Sequence, residues 1–123
     1  MRRIALVEDN ADNRLLVRAI LEDLYEIEEY ESGSDALAGL KSRAPSLVLL
    51  DISLPAMDGT EVLRRMRADM TLREIPVVAL TAHAMAGDRE RFLGMGFDAY
   101  VTKPIIDESV LLSEIERLLE RTG

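Results

Sequence analysis

The chain has 123 residues, of which 48% are hydrophobic and 31% are charged. This length suits a single domain with enough apolar side chains to bury a core without disulfides. The 23 acidic residues outnumber the 15 basic ones and give a formal net charge of −8, which argues against direct binding to nucleic acid. The absence of cysteine excludes disulfides, thiolate catalysis and zinc–thiolate sites.

Membrane and secretory segments are not expected either. No apolar stretch approaches the length of a bilayer-spanning helix. The N-terminal segment MRRIALVEDN has too few apolar residues before its acids to form the core of a signal peptide. We therefore expect a cytoplasmic protein with no nucleic-acid or membrane partner.

The first strand and helix are predicted from two different apolar patterns. Residues 4–7 form an uninterrupted apolar run, which is typical of a strand covered on both faces. Leu16, Ile20 and Leu24 then recur every four residues, which predicts an amphipathic helix over 10–24. The chain thus begins with a strand followed by a helix.

The same alternation continues to the end of the chain. EIEEYE at 26–31 is a charged segment that suits an edge strand, where charge discourages pairing with other chains. SLVLLD at 46–51, PVVALT at 76–81 and AYVT at 99–102 are further predicted strands. The remaining helices are predicted at 32–41, 60–68, 86–95 and 107–121. Strict alternation of strands and helices predicts a parallel sheet with helices on both faces, a doubly wound three-layer α/β sandwich.

Four of the five predicted strands end in polar or charged side chains. In chain order these are Glu8 with Asp9, then Asp51, Thr81 and Lys103. In doubly wound sheets the active crevice lies beyond the carboxyl ends of the strands, so these side chains are expected to converge. Three converging carboxylates require a cation, and an all-oxygen cluster favours Mg²⁺ with retained waters.

This set of residues suits phosphoryl transfer. Asp51 is the candidate nucleophile, because a carboxylate can accept a phosphoryl group covalently. The metal, the Lys103 ammonium and the Thr81 hydroxyl would stabilise the phosphoryl oxygens during in-line transfer. Three other acids are interpreted as helix caps or solvated loop residues: Asp12, Asp58 and Asp107.

At these residues the chain resembles the receiver domain of two-component response regulators. The matching segments are LVEDN at 6–10, LLDISLPAMDG at 49–59, ALTAHA at 79–84 and AYVTKP at 99–104, in the order and spacing of the family. The resemblance covers essentially the whole chain. It implies a flavodoxin-like five-stranded sheet with the strand order 2-1-3-4-5.

The resemblance assigns a phosphoacceptor and a metal site. Asp51 corresponds to the phosphoacceptor aspartate and is also a metal ligand. Asp9 corresponds to a direct Mg²⁺ ligand, Glu8 to an acid that acts through water, and the backbone carbonyl of Ser53 to the remaining protein ligand. Ser53 and His83 also occupy positions that can tune the lifetime of the acyl phosphate. For His83, a loop residue without consequence is an equally open interpretation.

The resemblance also implies a switch. Thr81 corresponds to the switch hydroxyl, Tyr100 to the switch aromatic and Lys103 to the lysine that pairs with the phosphoryl group. Pro104 follows Lys103 through a peptide bond that is typically cis in the family, and X-Pro bonds are where a cis bond is tolerated.

The implied mechanism begins with a histidine kinase or a histidine phosphotransfer protein that presents a phosphohistidine. Asp51 takes the phosphoryl group, Thr81 and Tyr100 rearrange, and a face within 86–120 changes its affinity for a downstream protein. This face comprises the fourth helix, the fifth strand and the fifth helix. The chain would catalyse its own Mg²⁺-dependent phosphorylation and slow dephosphorylation without being a conventional turnover enzyme.

Three alternative functions fit the sequence less well. A flavodoxin-like FMN carrier would need a phosphate-binding loop after the first strand, where this chain has EDNADN. A metal-dependent aspartyl-phosphate hydrolase would carry an acid at the position of Ser53. A degenerate receiver that acts only as a protein-binding module is disfavoured, because all key positions are filled.

A single receiver domain over 1–123 without an output domain is expected, because no residues follow the last helix to form one. The start at Met1 favours a free-standing regulator over a receiver that was part of a hybrid kinase.

Overall fold

The structure, a computed structural model, describes residues 1–82, 85–105 and 107–122. Within these ranges five strands alternate with five helices. The strands are β1 (Arg3–Val7), β2 (Glu26–Tyr30), β3 (Leu47–Asp51), β4 (Val77–Thr81) and β5 (Ala99–Thr102). The helices are α1 (Ala11–Leu21), α2 (Gly33–Ser42), α3 (Gly59–Arg67), α4 (Asp88–Met95) and α5 (Glu108–Thr122).

The strands form one parallel sheet in the order β2–β1–β3–β4–β5. Side chains of α1 and α5 pack on one face of the sheet, and those of α2, α3 and α4 pack on the other. The predicted doubly wound three-layer sandwich and its strand order are therefore confirmed. No helix in the described part of the chain has the length and apolarity needed to cross a bilayer.

The positions of β3 and β4 inside the sheet explain why their sequences are almost continuously apolar. Every residue of β3 and of β4 is buried, because helices cover both faces of the sheet. Their register pairs Asp51, the last residue of β3, with Leu80 of β4. Their carboxyl ends are thus held level by a packed core on each side.

The edge position of β2 is also confirmed, and its acids are paired with arginines. Arg3 Nε lies 3.4 Å from Glu28 Oε1, and Arg43 Nη1 lies 2.8 Å from the same oxygen. Arg18 Nη1 lies 3.5 Å from Glu29 Oε2. The edge therefore presents charged side chains rather than an apolar strand that would pair with another chain.

The first helix differs from its prediction in length and orientation. It ends at Leu21, and its buried residues are Val17 and Leu21. Leu16 and Leu24, which the apolar spacing placed in one stripe, are 42% and 51% exposed. Because Leu24 lies beyond the helix, the four-residue spacing does not describe one buried face.

Helix α3 begins at a cap that the sequence predicted. Asp58 Oδ1 accepts a hydrogen bond from the Thr60 hydroxyl at 2.6 Å and from the Glu61 N–H at 3.0 Å. These bonds lower the pKa of Asp58. Asp107 similarly accepts a hydrogen bond from the N–H of Ser109 at the start of α5. The cap of α1 is Asn10, and Asp12 lies exposed in the first turn of that helix.

A close backbone approach joins α3 to the end of β3. The N–H of Gly59 donates to the carbonyl of Ile52 at 2.9 Å. A Cβ atom at Gly59 would lie 2.3 Å from the carbonyl oxygen of Asp51 and 2.9 Å from Ile52 Cα. Only glycine allows the helix to begin so close to the strand end that carries Asp51.

We predict that Gly59→Ala destabilises the fold, because the added methyl group would have to displace backbone atoms. The expected loss is about 2 kcal/mol of unfolding free energy, as for overpacking elsewhere. Gly94→Ala is the matched control, since its Cβ would meet nothing within 4 Å and α4 should gain about 0.5 kcal/mol from alanine. Urea unfolding of both variants measures the difference, and equal midpoints would contradict the prediction.

Candidate functional site

Three carboxylates meet at the carboxyl edge of the sheet. Glu8 and Asp9 follow β1, and Asp51 ends β3, which lies next to β1. One carboxylate oxygen from each of the three lies within 4.8 Å of the others. Glu8 and Asp51 are 1% and 2% exposed, whereas Asp9 is exposed to solvent. The convergence expected from the strand ends is therefore present.

One ammonium group bridges the two buried carboxylates. Lys103 Nζ lies 2.9 Å from Glu8 Oε1 and 3.1 Å from Asp51 Oδ2. Its position follows from β5, because the N–H of Lys103 donates to the carbonyl of Thr81 at 2.7 Å. The fifth strand therefore delivers a fixed positive charge into the crevice.

Backbone N–H groups hold the remaining oxygens of the two buried acids. The N–H of Ser53 donates to Asp51 Oδ1 at 3.1 Å, and the N–H of Asn10 donates to Glu8 Oε2 at 3.1 Å. Each buried carboxylate thus accepts one bond from the lysine and one from the backbone. Four hydrogen bonds fix the orientation of both carboxylates.

The site is short of positive charge. Burial raises the pKa of Glu8, and the neighbouring Asp51 adds to the rise, although hydrogen bonds from Lys103 and from the N–H of Asn10 oppose it. Burial acts to lower the pKa of Lys103, but its bonds to Glu8 and Asp51 outweigh burial and raise it. Lys103 is therefore charged at neutral pH, and one ammonium faces three carboxylates.

The raised pKa of Glu8 has a defined consequence for stability. A carboxyl with a higher pKa in the folded than in the unfolded state binds its proton more tightly when folded. Its contribution to stability is thus greatest at low pH and is lost as the pH rises from 4.5 through the folded-state pKa. Above that folded-state pKa the ionised Glu8 opposes folding, and a cation bound beside it would relieve that cost.

The donor set fits Mg²⁺. Carboxylate oxygens are hard ligands that this ion prefers, and Mg²⁺ keeps several waters when it binds to proteins. Asp9 is exposed at the mouth of the site, which leaves room for such waters. The excess of negative charge favours any divalent cation at this place.

The remaining predicted residues lie around the same edge or beside it. Thr81 ends β4 and is buried, and it pairs in register with Thr102 of β5. Tyr100 of β5 is half-buried, and its ring stacks on that of Phe92 with a centroid distance of 5.8 Å. The peptide bond between Lys103 and Pro104 is cis, as expected. His83 lies outside the described residues.

Sequence reasoning missed one contributor to the site and gave no steric reason for another. Gly59 belongs to the LLDISLPAMDG segment that carries the resemblance, but the close backbone approach beneath Asp51 that requires glycine is seen only in the structure. Arg14 donates from its side chain to the backbone carbonyl of Glu8 at 2.7 Å. No spacing rule predicts that contact, because it depends on how α1 packs beside the strand ends.

Known proteins that are similar to this chain point to one family. The family model described as "Response regulator receiver domain" matches residues 4–116. The polar-differentiation response regulator DivK of Brucella ovis is 43% identical over 105 residues, which is 85% of each chain. The sensor protein GacS of Pseudomonas syringae is 41% identical over 112 residues, which is 88% of this chain but 12% of GacS.

Solved structures agree with this result. The signal receiver domain of a histidine kinase from Syntrophus aciditrophicus has a TM-score of 0.87 and 34% identity, covering 98% of this chain and 91% of its own. The receiver domain of a sensor histidine kinase from Pseudomonas aeruginosa PAO1 has a TM-score of 0.87 and 33% identity, covering 97% and 98%. That structure contains a magnesium ion coordinated in the active-site cleft.

The same family is indicated by the sheet order, by the acidic crevice with its bridging lysine and by these similarities. The chain belongs to the response regulator receiver domain family of two-component signalling.

Proposed function

We propose that this chain is a phosphoacceptor switch in which Asp51 takes a phosphoryl group from the phosphohistidine of a histidine kinase or a histidine phosphotransfer protein. The observation that carries the proposal is the environment of the Asp51 carboxylate. It is buried, it accepts hydrogen bonds from Lys103 Nζ and from the N–H of Ser53, and it lies beside Glu8 and Asp9. A fixed nucleophile next to a cation-binding cluster is the arrangement that phosphoryl transfer requires.

In the proposed step an oxygen of Asp51 forms a bond to phosphorus as the phosphorus–nitrogen bond of the donor breaks. The released imidazole takes up a proton. Lys103, already within hydrogen-bond distance of Asp51, pairs with the incoming phosphoryl oxygens. The Ser53 N–H keeps the carboxylate oriented, which lowers the entropic cost of in-line attack.

The proposed metal ligands are Asp9, Asp51 and the backbone carbonyl of Ser53, with Glu8 acting through water. Bound Mg²⁺ would neutralise charge on the transferring oxygens. The support is the carboxylate cluster within 4.8 Å and the magnesium ion in the cleft of the Pseudomonas aeruginosa neighbour. The same set of residues would also hydrolyse the acyl phosphate slowly, with Ser53 and His83 as the positions that tune its lifetime.

The proposed output begins at Thr81 and Tyr100. Thr81 would bond the phosphoryl group, and Tyr100 would move inward as Thr81 shifts. Tyr100 stacks on Phe92, and Phe92 packs edge-on against Phe97 with a centroid distance of 5.9 Å. A movement of Tyr100 would therefore displace the ring of Phe92 and shift α4. We propose that the face of α4, β5 and α5 binds the downstream partner.

We predict that one phosphoryl group is added per chain when the protein is incubated with Mg²⁺ and acetyl phosphate. Asp51→Asn should abolish the addition, because an amide is a poor nucleophile and forms no acyl phosphate. Asp58→Asn is the control, since asparagine keeps the helix cap of α3. Intact mass spectrometry measures the product. Equal phosphorylation of Asp51→Asn would refute the assignment.

We predict that Asp9→Asn weakens Mg²⁺ binding at least about tenfold, because even outer-shell changes at metal sites cost that much. Asp12→Asn removes an exposed acid three residues away and should leave the affinity nearly unchanged. Calorimetric titration with Mg²⁺ measures both. In metal-free buffer Asp9→Asn should be at least as stable as the parent, since a repelling charge is gone. An unchanged affinity would remove Asp9 from the ligand set.

A further inference from the structure

An arginine behind the acidic crevice has contacts that the proposed phosphoryl transfer does not use. Arg14 lies in α1, and its side chain is only 14% exposed although it carries a full charge. Burying a guanidinium is costly unless hydrogen bonds and opposite charges compensate. The partners of the Arg14 side chain therefore indicate its role.

Arg14 holds both ends of the turn that joins β1 to α1. Its Nη1 donates to the backbone carbonyl of Glu8 at 2.7 Å. Its own backbone N–H donates to the carbonyl of Asn10 at 3.1 Å. Asp9 is the residue between these two carbonyls. The arginine side chain holds the carbonyl of Glu8 on one side, and the first main-chain hydrogen bond of α1 holds that of Asn10 on the other.

The other side of the guanidinium faces the edge strand. Nη2 lies 3.2 Å from Glu31 Oε1, and Nε lies 3.5 Å from Glu29 Oε1. These two acids orient the planar guanidinium so that Nη1 points at Glu8. Both acids thereby gain a counter-charge from the same guanidinium.

We propose that Arg14 is a positioning residue for the cation site: it fixes the peptide unit between Glu8 and Asp9 and thereby the direction of the Asp9 carboxylate. Mg²⁺ demands near-ideal octahedral geometry, so a small rotation of this peptide would move Asp9 away from the position shared with Asp51. The inference rests on the proposed metal site and adds a residue that does not touch the metal.

The charge of Arg14 makes the test decisive, because two explanations predict opposite signs. If Arg14 acted only through its charge, removing a cation near a cation site would strengthen Mg²⁺ binding. If Arg14 positions the Glu8–Asp9 peptide, removing it weakens Mg²⁺ binding despite the more favourable charge. The direction of the change therefore separates positioning from electrostatics.

The experiment is a calorimetric titration of Arg14→Met with Mg²⁺ alone, which we expect to show about tenfold weaker binding. Arg18→Met is the matched control. Arg18 lies one turn further along α1 and also pairs with Glu29, at 3.5 Å, but it is half-exposed. Among the described residues its ion pairs are to Glu22 and Glu29 and not to Glu8. Its loss removes the same charge and should change the affinity by less than about twofold.

A second variant and a metal-free measurement guard against a simple folding defect. Arg14→Lys keeps the charge, but an ammonium lacks the planar geometry needed to reach the Glu8 carbonyl, Glu29 and Glu31 together. This variant should therefore also bind Mg²⁺ more weakly than the parent. In metal-free buffer the amide of Asn10, which donates to Glu8 Oε2, should exchange faster in Arg14→Met than in Arg18→Met. Urea unfolding confirms that each variant is folded in the assay.

The outcomes are distinguishable from a failure of the metal assignment itself. If Asp9→Asn weakens binding while Arg14→Met or Arg14→Lys binds Mg²⁺ as tightly as the parent, the positioning role is overturned and the proposed site stands. If Asp9→Asn has no effect, the proposed site fails, and the role of Arg14 fails with it.

Discussion

The bridge from Lys103 to Glu8 and Asp51 is the interaction on which this crevice depends. Two carboxylates that are almost fully buried would not both stay ionised side by side without a compensating charge. The ammonium lies 2.9 Å from one and 3.1 Å from the other. It is brought there by β5, at the opposite end of the chain from β1. The site therefore exists only when the whole sheet is assembled.

The packing of the sheet explains how such a bridge is kept in place. β3 and β4 are buried along their full length, so the strand that carries Asp51 cannot shift without disturbing both faces of the core. Gly59 adds a second constraint by letting α3 begin against the carbonyl of Asp51. In contrast, Tyr100 is half-buried, and its ring stacks on that of Phe92 in α4. The structure thus combines a fully buried strand that carries Asp51 with a less buried aromatic side chain, Tyr100, on β5.

Much of this arrangement could be predicted from the sequence because it follows from topology. Alternating strands and helices imply a parallel sheet, and a parallel sheet places Glu8, Asp51 and Lys103 at one edge whatever the details of packing. The cap at Asp58 was predictable for a similar reason, since it depends on neighbours a few residues away.

The misses are features that depend on how distant elements meet. The apolar spacing in α1 suggested the wrong buried side, because Val17 and Leu21 rather than Leu16 face the sheet. The contact of Arg14 with Glu8 depends on the angle between α1 and β1. Neither can be derived from local spacing, and both required the packed structure.

The acidity of the chain has two distinct parts that the fold treats differently. Along the edge strand the glutamates are matched by arginines, so that Glu28 and Glu29 each face two guanidinium groups. In the crevice three carboxylates share one ammonium, and the imbalance is left in place. Arg14 contacts both regions, since its side chain donates to the carbonyl of Glu8 and pairs with Glu29 and Glu31. The crevice is therefore left with more negative than positive charge, which is the condition that favours a bound cation.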